Sequence, residues 1–135
     1  MAISQSLRNR AVVVERYVTL AATSGTTVGP AVPAGTLVLA AGIQVLQTVP
    51  NITTYTANIT DGTTTFASAV VLNNTAANTI RVGTTAGLVA TADTIDAVTT
   101  ITGSPGTIRA RIFGVIVDVT PSVNQGAEVD RDTLA

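Results

Sequence analysis

Two carboxylates three residues apart, Asp93 and Asp96, are the pair whose spacing suggests acid–base chemistry. Paired carboxylates hydrolyse glycosides, one as the acid and the other as base or nucleophile. In an extended strand, residues three apart point to opposite faces, so these two converge only if Asp93 sits in the turn preceding the strand. No aromatic platform for a sugar ring lies near them. The expected roles are turn chemistry for Asp93 and a solvated strand position for Asp96. Asp61-Gly62 imitates part of a calcium loop, but Thr63-Thr64-Thr65 follow where such a site needs further carboxylates. Hydroxyl groups are plentiful, yet the chain has no His, Lys or Cys to activate one or replace one. Imidazole bases, Schiff bases, thiol nucleophiles, disulfides and the usual zinc shell are excluded together. The reading is of a non-enzyme with no catalytic residue, metal or cofactor.

The cations point no more firmly to a ligand. Arg8, Arg10 and Arg16 could touch phosphates, but seven basic residues stand against eight acidic ones, a net charge of −1. That leaves no basic surface for nucleic acid. Export and membrane segments are not expected either. The apolar run Ala11–Val14 is broken by Glu15 and Arg16, short of a signal core, and no run approaches the roughly 20 apolar residues of a membrane span.

The elements that carry these residues read as β-structure. Of the 135 residues, 25 are Thr, 20 Ala and 19 Val, and β-branched side chains favour strands over helices. The apolar period is two. In Thr36–Val49 the odd positions Leu37, Leu39, Ala41, Ile43 and Val45 are apolar, and Gly42 marks a bulge or a close backbone approach. In Thr53–Thr60, Tyr55, Ala57 and Ile59 alternate with Thr54, Thr56, Asn58 and Thr60, a half-buried strand ending at the Asp61-Gly62 hairpin signal. Thr94–Thr102 repeats the pattern with Ile95, Ala97 and Ile101 on one face. Only Ser68–Ala77 could hold a helical turn. Seven or eight strands separated by Gly, Pro and Asn turns predict an all-β, antiparallel β-sandwich or jelly-roll-like single domain.

The last strand is the most informative. Ile108, Ala110 and Ile112 alternate with Arg109 and Arg111, an inside/outside pattern. From Phe113 onward both faces are apolar, with Phe113, Val115 and Val117 on one and Gly114 and Ile116 on the other. A strand with one solvated face should not do this, so either a second layer of the domain covers it or a neighbouring subunit does.

Charge divides the chain into an N-terminal arm (1–10), a neutral β-sandwich domain (11–120) and a C-terminal arm (121–135). Arg8 and Arg10 lie in the first arm; Glu128, Asp130 and Asp132 lie in the last. Charged residues make up 11% of the chain, against about 25% in an average soluble domain. A body this bare of charge is expected to meet other subunits over much of its surface.

Val32-Pro33-Ala34-Gly35-Thr36-Leu37-Val38, the strand ending Gln47-Thr48-Val49, Tyr55–Thr63 and the Arg-bearing strand Ile108–Val117 resemble small structural proteins of tailed bacteriophages, in particular head decoration or cement proteins. The likeness covers roughly residues 28–119; the start Asn9–Tyr17 and the tail after Thr120 have no counterpart in that pattern. The resemblance implies a β-sandwich, often a homotrimer, on the outer surface of the virion capsid, with the major capsid protein as partner and no catalytic residues. Within it, Phe113, Val115 and Val117 are expected at the contact between copies. Arg8, Arg10, Glu128, Asp130 and Asp132 are expected to touch capsid or neighbouring copies, with no nucleic acid and no membrane involved. The alternative is a receptor- or glycan-binding module of a phage fibre or bacterial adhesin, against which the absence of Trp counts.

Overall fold

The computed structural model describes residues 11–118, and among these there are eleven strands and no helix. The front sheet is ordered β1 (Val12–Leu20), β11 (Ile108–Asp118), β4 (Thr36–Val45) and β7 (Ile80–Val82), with β8 (Gly87–Val89) also pairing with β4. The back sheet is ordered β2 (Gly25–Thr27), β10 (Asp96–Thr102), β5 (Thr54–Thr60) and β6 (Thr65–Val71). A small ribbon joins β3 (Ala31–Val32) to β9 (Asp93–Thr94). Every pairing is antiparallel.

The core forms between the sheets from the alternating positions. Leu20, Val38, Ala41, Ile43, Val45, Ile108, Ala110 and Ile112 come from the front sheet, each at 1% exposure or less. Tyr55, Ala57, Ile59, Phe66 and Ala97 meet them from the back sheet, with Leu72 and Ile95 filling in. The outer face of β5 and β10 carries Thr56, Asn58, Thr100 and Thr102, as the alternation predicts.

Two local readings need correction, and a third resolves between its alternatives. In β4 the apolar positions do not keep one parity: the register against β11 shifts between Val115 and Ile116, whose partners are Ala40 and Val38. Leu39 is the additional residue. Val38 therefore faces the core on one side of the bulge and Ala41, Ile43 and Val45 on the other, while Leu39 is 41% exposed. Gly42 is not the bulge. It marks the close approach, because a Cβ there would lie 2.3 Å from the Arg81 carbonyl oxygen and 3.0 Å from the Phe113 ring. Finally, Ser68–Ala77 holds no helical turn. Strand β6 runs through it to Val71 with an additional residue opposite β5, and Ala69 takes φ 47° with its N–H donated to Asn58 Oδ1 at 2.6 Å.

The Asp61-Gly62 hairpin forms as expected. Asp61 Oδ1 accepts the N–H groups of Thr63 and Thr64 at 2.8 and 2.6 Å, and Gly62 supplies the positive φ of 91°. That carboxylate is thus a turn device.

Tyr55 is wholly buried, and its hydroxyl has no hydrogen-bond partner among the described residues. Burial pushes the phenol up to about 12. The folded state therefore holds this proton more tightly than the unfolded chain, whose phenol titrates near the ordinary value of about 10. The resulting stabilisation is complete below about pH 10 and lost as pH rises through about 12. Thermal melts between pH 9 and 12 are expected to show this loss, and Tyr55→Phe should reduce it. At neutral pH the Phe variant should melt no lower than wild type, since the hydroxyl it removes is unsatisfied.

Candidate interaction surface

Strand alternation gives the front sheet an outer face built in cross-strand rows. Val13, Val115 and Ala40 form one row. Glu15, Phe113, Gly42 and Val82 form the next. Tyr17, Arg111, Gln44 and Ile80 follow, then Thr19 with Arg109. Beyond the bulge, Val117, Leu37 and Leu88 complete the apolar end. Val13, Tyr17, Ile80, Val82 and Leu88 are each between 48% and 65% exposed. The back sheet's outer face is mainly hydroxyl and amide groups, with Val71 its exposed apolar exception.

Phe113, Val115 and Val117 sit on this face as one outward row of β11, whose alternate residues Ile112, Gly114 and Ile116 turn to the core. A Cβ on Gly114 would meet Ile95 Cδ1 at 2.5 Å, so the inward side is tightly filled. Phe113 retains only 9% exposure. Its ring lies against Gly42, and Arg111 Cζ stands 4.6 Å from the ring centre, within reach of a cation–π contact. Val115 and Val117 are half-buried.

The Arg residues divide the face electrically. Arg111 Nη1 donates to Glu15 Oε2 at 2.6 Å and Nε to Gln44 Oε1 at 3.0 Å, so its charge and Nε–H are both matched within the sheet. Arg109, two residues earlier on the same side, is positioned by an amide instead. Gln47 Oε1 accepts its backbone N–H at 3.0 Å and its Nε–H at 3.4 Å, while Gln47 Nε2 donates to the Thr107 carbonyl at 3.2 Å. Among the described residues Arg109 has no carboxylate partner. It lines an open groove of about 320 Å³ with Tyr17, Val18, Thr19 and Leu46.

Among the described residues the carboxylates do not gather into one cluster. Asp93 is not in a turn but in β9, opposite Val32, where its Oδ1 accepts the Thr94 N–H at 2.8 Å. Asp96 is not a freely solvated strand residue. It is half-buried, and its Oδ1 accepts the Thr94 hydroxyl at 2.6 Å and the Gly29 N–H at 3.4 Å. The short β9–β10 step thus ties both carboxylates into backbone geometry. Asp93 shares a small pocket of about 130 Å³ with Asp61, from a turn 32 residues earlier. Among the described residues no group of three or more His, Cys, Asp or Glu could hold a metal.

Arg8, Arg10, Glu128, Asp130 and Asp132 lie outside the described residues. Sequence reading misses Val13, Tyr17, Ile80, Val82 and Leu88 as members of the face. The signal available is their apolar character within short β-branched runs flanked by Gly and Asn.

Over 79% of this chain and 84% of the other, the structure superposes on a chain of the cyanophage Pam1 capsid asymmetric unit with a TM-score of 0.61. The fold is shared with a phage capsid chain. Sequence identity to it is 13%, so the likeness is one of architecture. A chain of the acidic stable capsid structure of Helicobacter pylori bacteriophage KHP30 is also similar, at 10% identity and TM-score 0.50, over 82% of this chain and 94% of that one. No family model and no curated protein matches the sequence.

Proposed function

We propose that this protein is a structural component of a tailed-phage virion, a decoration or cement protein that sits on the outer surface of the capsid and stabilises the shell. The front sheet's outer face carries the reading. The strands of this sheet hold 36 residues between them, and at about 3.4 Å per residue and about 4.8 Å between strands they make a face of roughly 600 Å². The whole face, polar positions included, reaches the lower end of the roughly 600–1,000 Å² that each partner contributes to a stable interface. The architecture shared with chains of two phage capsids supports the same reading.

In this reading the protein is a homo-oligomer, a trimer, with Phe113, Val115 and Val117 at or beside the contact between copies. The segments 1–10 and 121–135 act as arms. Arg8 and Arg10 on one and Glu128, Asp130 and Asp132 on the other touch the major capsid protein or neighbouring copies. Stabilisation is mechanical and multivalent: once one contact forms, each further contact on the same shell is intramolecular and adds avidity without a stronger single site. Sedimentation with empty capsid shells tests the proposal, since a decoration protein pellets with the shells and a glycan-binding module does not.

A further inference from the structure

Arg109 is a cation held ready and left without a carboxylate among the described residues. Gln47 fixes its backbone and Nε with one oxygen, and Arg109 lines the open groove together with the exposed Tyr17 and Thr19. Its neighbour Arg111 already has Glu15. A guanidinium so placed suits carboxylates, which it can take bidentately. The chain carries a matching element, Ala127-Glu128-Val129-Asp130-Arg131-Asp132. Extended, it would bring Glu128, Asp130 and Asp132 to one side, because side chains alternate along a strand.

We propose that the Arg109–Tyr17 groove receives the acidic stretch Glu128–Asp132 of a second copy. This rests on the homo-oligomer reading above. Reach decides between the chain's own tail and another's. From Arg109 to Asp118, β11 covers about 30 Å. A tail returning over its own sheet must first reverse, spending about four residues in a turn. Glu128 would then have about 20 Å of extended chain left, Asp130 about 27 Å and Asp132 about 34 Å. Within one copy Glu128 falls about 10 Å short, and only the far end of the stretch comes back to Arg109. From a neighbour all three carboxylates can be used.

Charge reversal with mixing tests this on the full-length protein. One variant carries Arg109→Glu, the other Glu128→Arg with Asp130→Arg, and circular dichroism checks that both are folded. Each alone is expected to dissociate at concentrations about tenfold higher than wild type, since like charges then face each other. An equimolar mixture should bind more tightly than either component, because in a mixed trimer two of the three contacts again bring opposite charges together. A mixture no tighter than its components overturns the inference while leaving the oligomer intact. Rescue confined to a chain carrying both changes, with none on mixing, also overturns it, by showing that the contact is internal. A wild type that sediments as a monomer at tens of micromolar removes both the inference and the oligomer reading on which it rests.

Discussion

Val115→Asp is expected to convert the oligomer to monomers with the far-ultraviolet circular dichroism spectrum unchanged. Val115 lies on the outer side of β11, between Val13 on β1 and Ala40 on β4, while its chain neighbours Gly114 and Ile116 face the core. A carboxylate there can remain in water in the free subunit. At a contact between copies it must be desolvated among valines with no cation opposite it. Such burial costs roughly 3 kcal/mol or more, a shift of about a hundredfold in the dissociation constant. Sedimentation equilibrium reads the mass, and the spectrum separates dissociation from unfolding. Loss of the spectrum would move Val115 from the interface to the fold. An unchanged mass would place the contact elsewhere on the molecule.

The largest effect on stability is expected at Gly42. Any Cβ there would lie 2.3 Å from the Arg81 carbonyl oxygen and 3.0 Å from both the Val82 Cα and the Phe113 ring. The first is backbone, and no rotamer change can move it away. Gly42→Val must therefore separate β4 from β7 or displace Phe113 together with the Arg111 guanidinium above it. Overpacking of this kind costs about 1–3 kcal/mol, and the central position of β4 puts the expectation at the upper end. Chemical denaturation should show a lower midpoint with an unchanged slope. A variant as stable as wild type would mean that the β4–β7 pairing contributes little to the fold.

Val115 and Gly42 also mark how much of the molecule is legible in the amino-acid sequence. The sandwich is legible because β5 and β10 alternate cleanly: Tyr55, Ala57 and Ile59 point in, and Thr56 and Asn58 point out. So is the double-sided apolar end of β11, since Phe113, Val115 and Val117 have no reason to be apolar on a solvated strand. Strand β4 is harder. The run Leu37–Ala41 is apolar at every position, so nothing in its composition signals that Leu39 bulges and reverses the parity. Gly42 announces a special backbone position without saying which kind.

The rest of the outer face is hidden for a different reason. Its rows are assembled from residues far apart in the chain, such as Val13 with Val115 and Leu37 with Leu88. The strands β7 and β8 that complete it are three residues long, too short for a period to show. Strand alternation separates Asp93 from Asp96 already in the sequence. Their tethers to Thr94 and Gly29 depend on the β3–β9 ribbon, which two-residue strands do not announce.

Binding to the outside of a phage head is tested most directly by titrating purified protein onto empty shells of the major capsid protein from the same phage and measuring what co-sediments. Saturation is expected at a fixed ratio to capsid subunits, with the bound protein open to surface labelling and proteolysis from outside the shell. Protein that stays in the supernatant at every concentration, or that pellets only when trapped inside during assembly, would contradict a decoration role.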